Sequence, residues 1–316
     1  MSILLVVCIS GLYFWTKTPG DNKAIVSLYI KPGTSLHTIA QMLEVHGLIT
    51  HPYLFQAAIY GMGQKSSLKA GEYAFKEKIS PGAIITKLTK GQVVVHTITI
   101  PEGLTTRQIV KLLNQNPALT QILTPPTTPI FLYPNTYDFT YPTTRQNMLH
   151  RMEKAFYDVI HPLLKETELP APLVSMNELI TLASLVEKET SRADERAIVA
   201  GVFLNRLKIG MPLQCDPTVI YALTQGMGEL GRNLTKADLQ TPSPFNTYHS
   251  KGLPPSPIAH PGLSAIKATL RPTPTQNLYF VADGKGGHVF ASTLGAHQKN
   301  HALWRRINKD LKNIKK

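Results

Sequence analysis

Three rhythms of apolar and polar positions run along this chain. Ile3 to Trp15 is almost wholly apolar and uncharged, and the polar, turn-prone run Thr16-Lys17-Thr18-Pro19-Gly20-Asp21 follows it. A second rhythm appears twice, in Ile30-Lys31-Pro32-Gly33-Thr34-Ser35-Leu36 with Ile39 and Leu43, and in Ile100-Pro101-Glu102-Gly103-Leu104-Thr105-Thr106 with Ile109 and Leu113. Each copy predicts a strand end, a turn and an amphipathic helix. Between the copies, Thr50-His51-Pro52 and Ser80-Pro81 set a cap residue near a proline suited to a first helical turn, and Val93 to Ile100 alternates as a strand does. The third rhythm has a helical period and predicts helices over 143–161, 176–190 and 193–209, ahead of a loop-dominated stretch from Pro212 to Pro261. A strand pair around Leu278 to Phe290 and a C-terminal helix follow.

These elements predict an α+β fold. Residues 1–16 are expected as a transmembrane anchor, 17–24 as a linker, 25–116 as a small α+β region and 143–316 as a mainly helical domain with a small C-terminal strand pair. Residues 117–142 connect the two through the Pro/Thr-rich run Thr124-Pro125-Pro126-Thr127-Thr128-Pro129 and the aromatic loop Phe131-Leu132-Tyr133-Pro134-Asn135-Thr136-Tyr137. Pro-Gly-Thr-Ser-Leu ahead of a helix resembles LysM-type glycan-binding modules, so 25–116 is expected to be LysM-like. The apolar N-terminal run is short, because about fifteen residues at a 1.5 Å rise reach about 22 Å against a hydrocarbon core of about 30 Å. No small-x-small cleavage site follows it and no basic region precedes it, which favours an uncleaved anchor over a signal peptide. Lys17 is its only flanking cation, so charge does not fix the orientation.

Composition narrows the class without choosing a partner. At 316 residues, 43% hydrophobic and 17% charged, the chain is long enough for two domains and too apolar for disorder. Its formal charge of +13 favours polyanionic surroundings such as anionic headgroups, acidic wall polymers or nucleic acid. The densest basic stretch, Arg305 to Lys316, reads equally as a solvated final helix. Cys8 lies in the apolar run and Cys215 stands alone downstream, which disfavours an intramolecular disulfide and excludes a cysteine-built zinc site.

The densest candidate chemistry is Ala183-Ser184-Leu185-Val186-Glu187-Lys188-Glu189-Thr190, an apolar helical segment that ends in two carboxylates. Ser175 lies three residues before Glu178, the spacing of a capping box, and Leu179, Leu182, Ala183 and Val186 then recur at helical intervals. The two glutamates fall about 200° apart around the axis, each roughly 70 to 90° from the centre of the apolar stripe. Only one can face a given cleft. Leu182 and Leu185 precede Glu189 by seven and four residues, which tilts burial slightly towards it, while a solvated Glu-Lys-Glu helix end remains open. A half-buried carboxylic acid holds its proton towards neutral pH and can deliver it to a leaving group, as in glycosidic cleavage.

Further motifs surround this segment: Glu195-Arg196 through Val202-Phe203-Leu204-Asn205-Arg206-Leu207, Met211 to Tyr221, Ser243-Pro244-Phe245-Asn246-Thr247-Tyr248, and Lys251 to Gly262. Together with the Pro101-Glu102-Gly103 turn they resemble the MltG/YceG-like endolytic murein transglycosylases over nearly the whole chain. The resemblance implies an enzyme of the cytoplasmic membrane, anchored by its N-terminus and facing the cell wall, with no cofactor. It would cut the β-1,4 bond between N-acetylmuramic acid and N-acetylglucosamine within peptidoglycan strands, leave 1,6-anhydro ends and limit nascent strand length. It implies Glu189 as the catalytic acid, with Thr190 in the serine's place of the Glu-Ser pair of other lytic transglycosylases. It makes Gln214, Asp216, Thr218, Asn246, Tyr248 and Tyr137 candidates for substrate binding. Loop structure is the competing reading, since Asp and Asn form turns and Asp216 before Pro217 could cap a helix. Partners implied are peptidoglycan strands, the membrane and peptidoglycan synthases, with no nucleic acid. A non-catalytic glycan-binding scaffold and a two-carboxylate hydrolase are the alternatives.

Three positions depart from the family pattern: Asn135 stands where an aspartate is usual, Cys215 where a small or polar residue is, and the anchor is short. Other motifs lack their companions. Ser66-x-x-Lys69 and Ser264-x-x-Lys267 have neither Ser-Asp-Asn nor Lys-Thr-Gly beside them. His297 and His301, with His288 nearby, have zinc-pair spacing without the metalloprotease glutamate, so no metal is expected. Asp283-Gly284-Lys285-Gly286-Gly287 reads as a strand turn without phosphate-loop spacing.

Overall fold

The structure is a computed structural model that describes residues 2–64 and 67–314. Met1, Lys65, Ser66 and the final Lys315 and Lys316 lie outside the described residues, as does the side chain of Cys8. The elements in order are α1 (Ser2–Lys17), β1 (Val26–Ile30), α2 (Leu36–Val45), α3 (Pro52–Gly61), β2 (Gly71–Phe75), α4 (Pro81–Lys90), β3 (His96–Thr99), α5 (Thr106–Gln115), β4 (Leu119–Thr120), β5 (Thr136–Phe139), β6 (Thr143–Thr144), α6 (Arg145–Glu166), α7 (Met176–Glu189), α8 (Arg196–Lys208), α9 (Asp216–Thr224), α10 (Lys236–Leu239), α11 (Leu263–Leu270), β7 (Tyr279–Ala282), β8 (His288–Ala291) and α12 (Leu294–Ile314). The chain divides into two compact units, one of residues 1–98, 118–120 and 137–143, the other of the remaining segments.

The N-terminal unit is built around β1 and β2, paired antiparallel with Leu28 opposite Tyr73. Side chains alternate across a strand, so Leu28, Ile30, Tyr73 and Phe75 share one face, and α2, α3 and α4 cover it with Ile39, Leu43, Phe55, Ile59, Ile84 and Leu88. Ser35 and Ser80 cap α2 and α4, and proline opens α3 and α4, as the sequence predicts. Helix α1 packs its end on this core through Leu12 and Trp15. At Gly82 a Cβ would lie 2.7 Å from the Thr16 carbonyl, so only glycine allows that approach.

The structure does not show the expected spanning anchor. Helix α1 has 16 residues, about 24 Å at 1.5 Å each, and among the described residues no helix is long and apolar enough to cross a membrane.

The second unit is mainly helical, with its core between α6, α7, α8 and α11. Phe156, Leu182, Leu185, Val199, Phe203 and Ile266 are all buried there. Helix α6 runs on to Glu166, beyond the expected end at 161, with Pro162 inside its last turns. Strands β7 and β8 form the expected antiparallel pair. The repeated turn is closely copied: Gly33 and Gly103 adopt φ of +81° and +76°, and Ser35 and Thr105 cap the helices that follow.

Candidate active site

Helix α7 starts where Ser175 Oγ accepts the Glu178 amide at 3.2 Å. The reciprocal bond of a capping box is displaced by one residue, because the Glu178 carboxylate takes the amide of Val174 at 2.6 Å. Every residue from Leu179 to Val186 is buried, the polar Thr181 and Ser184 included, so the helix is a core element. Ser184 Oγ donates to the Thr181 carbonyl at 2.7 Å and accepts the Ile258 amide at 3.1 Å, tying the helix to the 256–260 loop.

The two carboxylates at its end meet different surroundings. Glu187 accepts the Gly262 amide at 3.1 Å and faces Arg196 at 3.6 Å, both side chains being nearly buried. Burial raises its pKa, and Glu102 adds to this, while the Gly262 amide and Arg196 oppose it. A Cβ on Gly262 would overlap the Glu102 carboxylate, and Lys188 Nζ donates to the Gly103 carbonyl at 3.3 Å. This face is a brace between α7 and the Pro101-Glu102-Gly103 turn. His260, buried and missed by the sequence reading, strengthens it: its Nδ1 accepts the Leu132 amide at 3.1 Å and its Nε2 lies 3.0 Å from Thr106 Oγ1. Burial lowers its pKa to about 4, so the ring stays neutral.

Glu189 faces the Leu213–Asp216 segment instead. It is half-buried, and its Oε2 accepts from the Cys215 thiol at 3.3 Å. No ion pair reaches it among the described residues. Its pKa is raised, first by burial and then by the nearby Asp216 carboxylate, with Cys215, His288 and Arg206 pulling it back. Its place as the last residue of α7, at the negative end of the helix dipole, disfavours the charged form further. The thiol is pushed well up by burial and by Glu189, so it remains a donor. Arg206, also buried, donates to the Leu278 and Leu213 carbonyls at 2.6 and 2.7 Å and stacks over Tyr279, which fixes the wall behind Cys215.

The remaining expected site residues fall into three groups. Asp216 and Tyr248 are brought together, with the Tyr248 hydroxyl donating to Asp216 Oδ1 at 2.6 Å, and burial and that bond raise the Tyr248 pKa. Asp216 is exposed, and its carboxylate makes no capping bond to α9. Gln214 is exposed on a left-handed backbone, φ +49°. Thr218 and Asn246 are fully buried and direct their hydrogen bonds inward, Thr218 Oγ1 to the Cys215 carbonyl at 2.6 Å and Asn246 Nδ2 to the Leu239 and Thr241 carbonyls at 3.1 and 2.8 Å. These two shape the loops that carry Cys215 and Tyr248. Tyr137 is buried in the N-terminal unit. Asn135 uses its carbonyl to accept the Ile100 amide at 2.9 Å, a backbone contact indifferent to an Asn-for-Asp exchange. On α11, Ser264 and Lys267 are exposed.

A cavity of about 700 Å³ beside this site is lined by Glu102, Lys188, Pro217, Tyr221 and Arg232 among others, so the sequence neighbours of Glu189 and Asp216 open onto it. A carboxylic acid whose pKa is raised by burial is equipped for general acid chemistry.

Known proteins share this framework. The protein is 32% identical over 309 residues to an endolytic murein transglycosylase of Bacillus subtilis strain 168, covering 88% of this chain and 84% of that one. It is 30% identical to the endolytic murein transglycosylase of Streptococcus pneumoniae serotype 2 strain D39, covering 89% of this chain and 59% of that longer protein. A crystal structure of a putative YceG-like protein from Listeria monocytogenes superposes with a TM-score of 0.53 at 30% identity, over 88% of this chain and 99% of that one. Residues 28–303 match the YceG-like family, and the chain belongs to it.

Proposed function

We infer that this protein is an endolytic murein transglycosylase, which cuts the β-1,4 bond between N-acetylmuramic acid and N-acetylglucosamine inside peptidoglycan strands. The observation that carries the assignment of the acid is the seat of Glu189: half-buried, at a helix C-terminus, with raised pKa and a thiol for its partner. Protonated Glu189 donates to the glycosidic oxygen, and its carboxylate then recovers a proton from the sugar's own C6 hydroxyl as that oxygen closes the 1,6-anhydro ring. No water is consumed. Gln214 and Asp216, both exposed, and the half-buried Tyr248 bind the sugar and its acetamido group. The strand–helix–helix–strand order of β1, α2, α3 and β2 supports reading the N-terminal unit as a LysM-like glycan-binding module. The apolar α1 supports attachment of that unit to a membrane, with the site on the cell-wall side, while association with peptidoglycan synthases rests on resemblance alone.

A two-carboxylate hydrolase is the second reading, because Asp216 is close enough to raise the Glu189 pKa. Mass spectrometry of peptidoglycan digested by the purified protein decides between them. Anhydro ends, absent with Glu189→Gln, support the transglycosylase; reducing ends reject it in favour of hydrolysis, and unchanged activity of Glu189→Gln rejects Glu189 as the acid.

A further inference from the structure

The cavity of about 700 Å³ carries more charge than a glycan can use. It is lined entirely by residues of the second unit, from the start of α5, the end of α7, α9 and the loop between Gly226 and Asn233. That loop is folded down tightly. Thr105 Oγ1 donates to the Gly226 carbonyl, and at Gly228, where φ is +125°, a Cβ would lie 2.7 Å from Gln108 Nε2, so only glycine fits there. At the loop's far end Arg232 donates through Nη1 and Nη2 to Asp238 at 2.6 and 2.9 Å, and Asp238 also accepts the Thr235 amide at 2.7 Å. The wall is thus held at both ends.

Four charged side chains line the cavity, and they are not equally committed. Arg232 is neutralised by Asp238, which is not part of the lining. Lys188 Nζ donates to the Gly103 carbonyl at 3.3 Å and has no ion-pair partner among the described residues. Glu102 and Glu229 are exposed and have none either. The cavity therefore offers two carboxylates and one ammonium to whatever enters, and its volume is that of a small-ligand site. An N-acetylated sugar brings hydroxyl and acetamido groups and no charge. The peptide stem of murein brings both signs, an ammonium on its diamino acid and carboxylates on its acidic and terminal residues.

We propose that this cavity binds the peptide stem of the strand being cut, with Glu229 taking the ammonium of the diamino acid, Glu102 adding to the negative potential, and Lys188 taking a stem carboxylate. The proposal rests on the protein acting on murein and adds a second point of recognition to that reading. Lys188 is one residue from Glu189, and Pro217 is one from Asp216, so Cα atoms of the cavity wall and of the site are about 3.8 Å apart. The stem hangs from the muramic acid itself, the sugar whose anomeric carbon reacts, and three extended stem residues reach about 10 Å. Charge on the stem thereby selects strands that still carry it, and it acts on binding while the chemistry stays with Glu189.

The first test reads binding and needs no turnover: calorimetric titration of the full chain with a free stem tetrapeptide carrying lysine or diaminopimelate, beside the same peptide acetylated on its side-chain amine. Acetylation is expected to weaken binding by about fivefold, and Glu229→Gln to weaken the free-amine peptide by about threefold while leaving the acetylated one unchanged, the scale of exposed ion pairs. Both differences should shrink at about 0.5 M salt, which a merely structural role of Glu229 would not produce. No binding of either free-amine peptide at about 10 mM, or equal affinity for free and acetylated peptides, overturns the proposal. The second test compares glycan strands with their stems intact and after removal by an amidase, with anhydro ends counted by mass spectrometry. Removal should raise KM by about tenfold with kcat within about threefold, the pattern of lost uniform binding, and a KM within about twofold overturns the proposal. The two readings fail separately. Binding of the tetrapeptide through Glu229 without anhydro ends from either strand rejects the transglycosylase and keeps the stem site, whereas anhydro ends at equal KM from both strands keep the transglycosylase and reject the stem site.

Discussion

The last turn of α7 has two faces, and they differ in what they do with a carboxylate. On one, Glu187 is locked to Gly262 and Arg196 and helps to brace the Pro101–Gly103 turn. On the other, Glu189 meets a thiol, with no cation paired to it among the described residues. Both pKa values are raised chiefly by burial, yet only Glu187 is also held by an ion pair and a backbone amide. Desolvation alone therefore does not make a catalytic acid; what matters is whether the neighbours use the carboxylate already.

The comparison breaks most sharply at Glu189. Glu189→Gln should cut anhydro-end formation by about a thousandfold, within the range for loss of a general acid. The same substitution should leave the fold intact and raise the melting temperature at neutral pH. The sign follows from linkage: with a folded pKa above the unfolded value, the group favours the fold below the unfolded value of about 4.3 and loses that contribution as pH rises through the folded one. Gln removes the buried charge that forms at high pH. A lower melting temperature would show that Glu189 is structural, as Glu187 is.

Glu187→Ala should do the reverse. Removing it leaves Arg196 and the Gly262 amide without their acceptor, and losing one partner of a nearly buried pair costs about 3 kcal/mol. Urea unfolding measures this, and the remaining folded protein should keep most of its activity. Loss of activity without loss of stability would put Glu187 in the chemistry.

How much of this could be read beforehand depends on range. Helix α7, its Ser175 cap and the two Gly-turn repeats were legible, because each is specified within a few residues by apolar spacing, a cap and one glycine. The division of labour between Glu187 and Glu189 was only faintly legible, since it depends on Gly262 and Arg196 on one side and Cys215 on the other. Glu195, Arg206 and His260 drew no notice as site residues. Their partners lie far along the chain, as with His288 for Glu195, and no local period marks such a pair. His288 stood out only as a neighbour of the His297 and His301 pair, and its Nδ1 donates to Glu195. Thr218 and Asn246 show the converse: the family resemblance makes them candidates for sugar binding, and both direct hydrogen bonds to backbone carbonyls.

Acid sharpens the comparison next, because the brace holds a neutral histidine and the Glu189 face favours protonation. His260 has a folded pKa of about 4 against a reference of about 6.5, so its contribution is full above the reference and lost as pH falls towards 4. That difference corresponds to about 3 kcal/mol, reached only below pH 4, with roughly half of it gone near pH 5. Protonating Nδ1 would also break its bond with the Leu132 amide. Denaturation by urea at pH 7 and pH 5 should show the drop in the parent and a smaller one in His260→Gln. Equal drops would locate the acid sensitivity elsewhere.

The smallest expected effect lies at Cys215. Its thiol favours the charged form of Glu189, so Cys215→Ala should raise the acid's pKa and move the alkaline limb of the pH–rate profile upward by less than about one unit. The rate at the optimum should fall by less than about tenfold, because a thiol is a weak donor and its bond at 3.3 Å is long. Cys215→Ser separates geometry from size. A hydroxyl is the stronger donor, so the limb should stay at or below the parent's position while the side-chain volume changes little. If both variants shift the limb upward alike, packing around the loop governs Glu189 and the hydrogen bond does not. If Ala alone shifts it, the contrast between the two faces of α7 comes down to one donor on one side and an ion pair with a backbone amide on the other.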